Sequence, residues 1–366
     1  MFGGVYKDKK VLVTGHTGFK GSWLCTWLLR LGAEVVGYSD EIPTQPSLFE
    51  ANGLQKRIRH VVGDIRDLEH VRAVIADELP DFVFHLAAQA IVSVSYQDPV
   101  RTMSTNIIGT MNVLEALRHH QDPCVAILIT SDKCYDNVEW VWGYRETDML
   151  GGKDIYSGSK GAAELVIKSY VNSFFNSPDC PVSVGVGRAG NVIGGGDWAR
   201  DRIVADCMRA WSEDKVVEIR SPSATRPWQH VLEPLSGYLT LGASLRHGES
   251  ARGETYNFGP RAEQNHNVVE LLEELAGIWG ITQMSQAYCI TGSIPFHEAS
   301  LLKLNCDKAL MFLNWEATLQ YKETIQLLGE WYKEFYAGTA DMFAFTDGQI
   351  AQYEKIARER EVEWAR

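Results

Sequence analysis

The sequence predicts an α/β fold, a Rossmann-type doubly wound parallel sheet, followed on its C-terminal side by a smaller mixed α/β domain expected to bind substrate. Three observations carry this. Short apolar runs alternate with helical patterns through the first half, three glycines stand between the first run and the first helix, and the pattern loosens after Gly190 into loops rich in Gly, Pro and Arg. Strand–helix alternation of this kind indicates a parallel sheet covered on both faces, whose ligands sit at the carboxyl ends of the strands.

The runs KVLVTG, EVVGYSD, HVVGD, DFVFHLAA, CVAILITS and VSVGVGRAG read as successive strands, with FKGSWLCTWLLRLG and a segment near 100–120 as helices between them. Residues 1–190 are expected to form a dinucleotide-binding domain to which 229–260 returns. Residues 191–228 and 261–340 form the second domain, with helices at about 233–246 and 267–279 as the chain passes between the two. The stretch 341–366 is a charged amphipathic tail helix, expected to pack rather than to bind a partner.

At 366 residues with 45% apolar and 22% charged content, the chain has the material for a large core and no sign of disorder. A net charge of −12 argues against broad binding to nucleic acid or an anionic membrane, which points to a small-molecule partner. Seven cysteines without a close pair make a poor disulfide framework, and no signal-like or membrane-spanning apolar run occurs, so a cytoplasmic protein is expected. No Cys/His spacing suits zinc, so no metal site is expected, and the phosphate-loop pattern of ATPases is absent.

The stretch TGHTGFKG places Gly15, Gly18 and Gly21 where a tight turn, a close backbone approach to a pyrophosphate and helix-on-strand packing each need a missing side chain. His16, Thr17, Phe19 and Lys20 share that turn and join it as cofactor-binding candidates. Asp40, at the end of the second strand, is placed to bind an adenosine ribose and to disfavour a 2′-phosphate, so NAD is preferred over NADP; an ordinary surface Asp is the competing reading. Asp64 with Ile65, and Leu86, Ala87, Ala88 and Gln89, end the third and fourth strands, where further cofactor contacts are expected.

In DIYSGSKGAAELVIKSY, Tyr156 and Lys160 stand four apart at the start of a helical pattern, hence on one face. An ammonium beside a phenol lowers the phenol's pKa from about 10, letting a tyrosinate take a hydroxyl proton as hydride leaves the adjacent carbon. Alone such a pair is ordinary surface chemistry. With the glycine turn, Asp64, HLAA at 85–88, Asn106, Ser131 and Tyr156-x-x-x-Lys160 in this order, the chain resembles the extended short-chain dehydrogenase/reductase family almost to residue 336. RAGNVIGGGDW, RPWQHVLEPL and TYNFG resemble the substrate loops of its nucleotide-sugar branch, and PSLFE, SDKCY and HEASLLKLNCDKA those of its 4,6-dehydratases.

The resemblance implies oxidation at the sugar 4-hydroxyl through Tyr156, loss of water across carbons 5 and 6, and hydride return to carbon 6, with NAD as cofactor and CDP-glucose or a related nucleotide sugar as substrate. Related dTDP-sugar dehydratases read Thr-Asp-Glu where this chain reads Ser131-Asp132-Lys133. Asp132 is then the acid at the 6-hydroxyl and Lys133 the base at carbon 5, with Ser131 orienting the 4-hydroxyl and Asn106 steadying the active-site backbone. Asp132 must therefore keep a proton and Lys133 must lose one, the opposite of what a neighbouring ion pair favours. For the nucleotide, guanidinium forks suit phosphate, which makes Arg226, Arg188, Asn191 and Arg202 candidate ligands and Trp198 a candidate stacking platform. The resemblance also implies a homodimer, packed through the Tyr156 and Asn106 helices, and a place in deoxysugar synthesis for surface polysaccharide such as O-antigen. A 4-epimerase with the same Tyr156 and Lys160 is the competing enzyme, though it needs no acid at carbon 6. A dinucleotide-sensing scaffold without turnover is the competing non-enzyme.

Overall fold

A computed structural model describes all residues except 220, 223, 249–250, 262–263, 265 and 292–301. The motifs HEASLLKLNCDKA and RSPSATRPWQHV lie partly outside the described residues.

Seven parallel strands form the central sheet: β1 Lys10–Thr14, β2 Glu34–Ser39, β3 Arg59–Val62, β4 Phe82–His85, β5 Cys124–Ile129, β6 Val182–Ala189 and β7 Thr255–Phe258. Their order is β7-β6-β5-β4-β1-β2-β3. The connection reverses direction between β1 and β4, and a crevice for ligands opens at the carboxyl ends of such neighbours.

Alternation along the strands builds two cores. Val11 and Val13, Phe82 and Phe84, and Val125 and Ile127 face the layer that contains helices Phe19–Arg30 and Leu232–His247. Leu12, Val83, Ala126 and Leu128 face the other, with helices Leu68–Glu78, Thr110–Arg118 and Ile155–Tyr170. Strand β7 carries the chain back to the sheet after the first excursion, as hydrogen bonding to β6 requires. The excursions hold three two-stranded pieces, Val192–Ile193 with Gln229–His230, Thr225–Arg226 with His266–Asn267, and Val217–Ile219 with Tyr288–Ile290. Helices Val268–Trp279 and Tyr321–Ala337 pack beside them, the first started by a capping box between Asn267 and Glu270.

The tail helix Met342–Glu359 lies on helix Phe19–Arg30. Trp27 Nε1 donates to Glu354 Oε1 at 2.9 Å, and Arg30 pairs with both Glu354 and Asp347. Tyr353 reaches Glu233 Oε2 at 2.9 Å, tying the tail to helix Leu232–His247 as well. Among the described residues no helix is long and apolar enough to cross a membrane.

Candidate active site

The glycine turn at the end of β1 is built by close approach. Gly15 has φ +73°, and a Cβ on it would stand 2.7 Å from the Ala87 nitrogen; one on Gly21 would stand 2.2 Å from the Gly15 carbonyl oxygen. Gly18 caps helix Phe19–Arg30 without a side-chain hydrogen bond, so the first N–H groups of that helix keep their affinity for an anion. A cradle that any side chain would fill, at a helix N-terminus and at the switch point of the sheet, suits the pyrophosphate of a dinucleotide.

The side chains of the turn divide. Thr17 bonds to Ser39 Oγ at 2.8 Å and to the Glu41 carbonyl at 2.7 Å, locking the turn to the end of β2. His16 points into the core against Phe49 and bonds to His60 Nδ1 at 2.7 Å, where burial lowers its pKa to about 4. Its imidazole is therefore a packing group, which narrows the expectation for His16 to its backbone. Phe19 is partly buried, close to Gly194. Lys20, by contrast, faces Arg202, Asp132, Lys160 and Asp197, and burial followed by Arg202 lowers its pKa to about 8.

Asp40 is exposed just past β2, where it accepts from Glu41 N at 2.9 Å and lies 3.8 Å from Arg101. The Asp64 carboxylate is engaged by Arg66 through its backbone N–H and guanidinium, which holds it below the usual range. Ile65 is core, against Gly109, so its side chain is a packing group like that of His16. Beyond β4, Leu86 and Ala87 hydrogen-bond to Thr14, while Ala88 and Gln89 continue along the crevice. Asn106 sits in a π-helical stretch, Ser104–Gly109. It accepts from Gln89 N at 2.8 Å and donates to the Gln89 carbonyl and Ser159 Oγ, and Ser159 donates to the Tyr156 carbonyl at 2.6 Å. Asn106 thus joins the β4 loop to the Tyr156 helix.

That helix begins where Asp154 caps it, accepting from Ser157 N at 2.9 Å, which puts Tyr156 in its first turn and Lys160 on the next. Both are buried. Burial raises Tyr156 to about 12, opposed by a hydrogen bond with Ser131, and lowers Lys160 to about 8. Burial bears on the phenol more than any neighbouring charge, and the hydrogen bond with Ser131 is the largest influence acting the other way.

Strand β5 ends in a single 3₁₀ turn, Asp132–Cys134, capped by Ser131, whose Oγ accepts from Lys133 N at 3.2 Å. The turn separates the two charges. Asp132 is buried, accepts from Ser131 Oγ at 3.0 Å and lies against Gly190, where a Cβ would fall 1.9 Å from its Oδ2. Lys133 stays partly exposed, and the two form no ion pair in the described structure. Burial raises the Asp132 pKa against the pull of Lys133, the direction that acid chemistry needs.

On the substrate side the expectations separate. Arg202 pairs with Asp197 at 3.1 Å and acts on both Lys20 and Tyr156, which places it over the site. Arg226 is partly buried and donates to the Thr225 carbonyl. Asn191 has φ +51° and gives its carbonyl to Gln229 N. Two expectations are corrected. Trp198 is buried among Trp331, Tyr332 and Phe335, a core aromatic and no stacking platform. Arg188 is buried against Glu164 at 2.7 Å and cannot reach a pyrophosphate from there. The groups missed by sequence reasoning are Gly190, Glu164, Thr130 and Tyr135, all packed around the turn after β5.

Residues 12–328 match the family model of GDP-mannose 4,6 dehydratase. The chain belongs to this family. Within it, the chain is 46% identical over 352 residues to CDP-glucose 4,6-dehydratase of Salmonella typhimurium, an alignment covering 95% of this chain and 97% of that one. The fold of the family recurs in UDP-glucose 4-epimerase from Thermotoga maritima, with a TM-score of 0.76 at 23% identity over 89% of this chain and 99% of that one. It recurs also in dTDP-glucose 4,6-dehydratase from Bacillus anthracis, solved in complex with NAD, with a TM-score of 0.73 at 20% identity over 89% and 97%.

Proposed function

We infer that the protein is an NAD-dependent hydro-lyase that converts CDP-glucose to CDP-4-dehydro-6-deoxyglucose. The observation that carries the reaction type is Asp132, a buried carboxyl with a raised pKa one residue from Ser131 and beside Tyr156. A 4-epimerase has no use for such an acid. The cytidine nucleotide is supported by the Salmonella relative, at 46% identity.

When bound, NAD supplies a hydride acceptor at carbon 4 and a hydride donor at carbon 6. The cradle at Gly15, Gly18 and Gly21 holds its pyrophosphate and Asp40 its ribose. Tyr156, hydrogen-bonded to Ser131, takes the proton of the 4-hydroxyl, with Lys160 behind it. Lys133 removes the hydrogen at carbon 5, made acidic by the neighbouring ketone, and returns a proton there as hydride reaches carbon 6. Asp132 donates its proton to the departing 6-hydroxyl, which leaves as water. Arg202 and Arg226 are assigned to the pyrophosphate of the substrate. The protein is proposed to be cytoplasmic and homodimeric, supplying deoxysugars for surface polysaccharide; of the apolar positions expected on the two helices of the dimer face, Leu165 is exposed and Ile107, Met111, Val166 and Tyr170 are partly exposed, while Leu114 is buried in the core.

Incubation with NAD and a panel of nucleotide-glucoses, followed by the base-induced absorbance of a 4-keto-6-deoxy sugar, tests the assignment. Product from CDP-glucose is expected. No product from any nucleotide-glucose overturns the dehydratase, and product from dTDP-glucose alone corrects the nucleotide.

A further inference from the structure

Arg188 is buried, and its hydrogen bonds are directed to named partners. Nε and one terminal nitrogen fork onto Glu164 at 2.7 and 2.8 Å, and the other terminal nitrogen donates to Tyr135 Oη at 2.7 Å and to the Glu146 carbonyl at 3.3 Å. Its guanidinium also lies 4.8 Å from the centre of the Tyr135 ring. Glu164 accepts in addition from Thr130 Oγ1, and Tyr135 Oη donates to Asn257 Oδ1 at 2.8 Å on β7.

Thr130 and Tyr135 flank the Ser131–Cys134 segment. Its backbone–backbone bonds are Cys134 N to the Ser131 carbonyl at 3.1 Å, Tyr135 N to the Asp132 carbonyl at 3.3 Å, and Gly151 N to the Cys134 carbonyl at 2.9 Å, beside the two made by Ser131 Oγ with Asp132 and Lys133. A single 3₁₀ turn has poor internal geometry and cannot hold two reactive side chains by itself. A buried ion pair is also weak evidence for stability, since desolvation offsets its attraction and an apolar pair often packs a core as well. The charges here do something an apolar pair could not, because they grip both ends of the turn by directed hydrogen bonds. Just past the end of β6, two residues beyond Arg188, Gly190 leaves the room that Asp132 occupies.

We propose that Arg188 and Glu164, through Thr130 and Tyr135, are positioning residues that aim Asp132 and Lys133 for the elimination step. All four are buried and act through the turn. The inference rests on the dehydratase reading of the site. Ser131 belongs to the same turn and bears on Tyr156, so loosening the grip reaches oxidation through that one contact, whereas both Asp132 and Lys133 ride on the turn and elimination feels it more.

The tests are Thr130→Val and Tyr135→Phe, which keep shape and remove one hydroxyl each; Arg188→Met leaves Glu164 buried without its partner and risks the fold. In single turnovers with CDP-glucose, the absorbance of reduced nicotinamide reports oxidation and the 4-keto-6-deoxy product reports elimination. Both variants are expected to form product about tenfold more slowly, with oxidation within about twofold, and Thr130→Ser to restore the parental rate. Equal slowing of both steps, or no change in either, overturns the proposal. A parent protein that yields no product overturns the dehydratase reading and this one with it.

Discussion

The two pairs of reactive side chains are held by different means. Tyr156 and Lys160 stand on consecutive turns of a 16-residue helix whose start is fixed by Asp154, so the backbone ladder sets their spacing. Asp132 and Lys133 stand on a three-residue turn, and their directions are imposed by Gly190 and by side chains from the Tyr156 helix, β6 and β7. A helix delivers a catalytic pair from local sequence. A strand end delivers one only with help from distant parts of the chain.

The comparison breaks first at Tyr156. Tyr156→Phe should lower product formation by about 10³-fold, because oxidation precedes everything else, and it should leave no accumulated reduced nicotinamide in single turnovers. Gly190→Ala should act on the other pair alone, since the added methyl displaces the Asp132 carboxylate at a backbone position where alanine is otherwise permitted. Elimination is expected to fall about 10²-fold while oxidation stays within a few-fold, and a parental rate in both steps would show that Asp132 does not need that space. Asp132→Asn should cost a similar factor and change the pH profile. An acid with a raised pKa stays protonated to higher pH than an ordinary carboxyl, so the parental elimination rate falls as pH rises through that value. The residual rate of the Asn variant should lack that limb.

The smallest effect lies away from the site. Glu233 is a buried carboxylate like Glu164 but has no guanidinium forked onto it, accepting instead from Thr318 N, Leu319 N and Tyr353 Oη. Burial raises it from 4.5 to about 7 against those bonds. The native state therefore holds a proton the unfolded chain has lost, and stability should fall by up to about 3 kcal/mol as pH rises through that interval. Thermal unfolding of Glu233→Gln should be lower at acid pH and flatter across the same range.

Much of the fold is legible in the sequence because strand and helix periods are local: six of the seven strands follow from short apolar runs, and the helix near 100–120 from its pattern. Asp132, Tyr156 and Lys160 are legible for a similar reason, each lying at a strand end or on a helix face. Arg188 and Trp198 show where this fails. Both residue types suit a nucleotide, and nothing near them in the chain reveals that Glu164, 24 positions away, or the aromatics of helix Tyr321–Ala337 bury them. Gly190 is equally hidden, since its requirement comes from the Asp132 side chain on the turn after β5. The burial of Tyr156 is hidden too, because a sequence shows nearby charges and conceals depth.

The tail helix has a consequence in time. Glu354 bonds to Trp27 from 327 positions downstream, on the helix whose first residues form the dinucleotide cradle. Trp27 and Arg30 therefore lack these partners until Met342–Glu359 has been synthesised, more than 300 residues after the helix that carries them. The packing of that helix depends on a contact of long sequence separation, which local propensity cannot hasten.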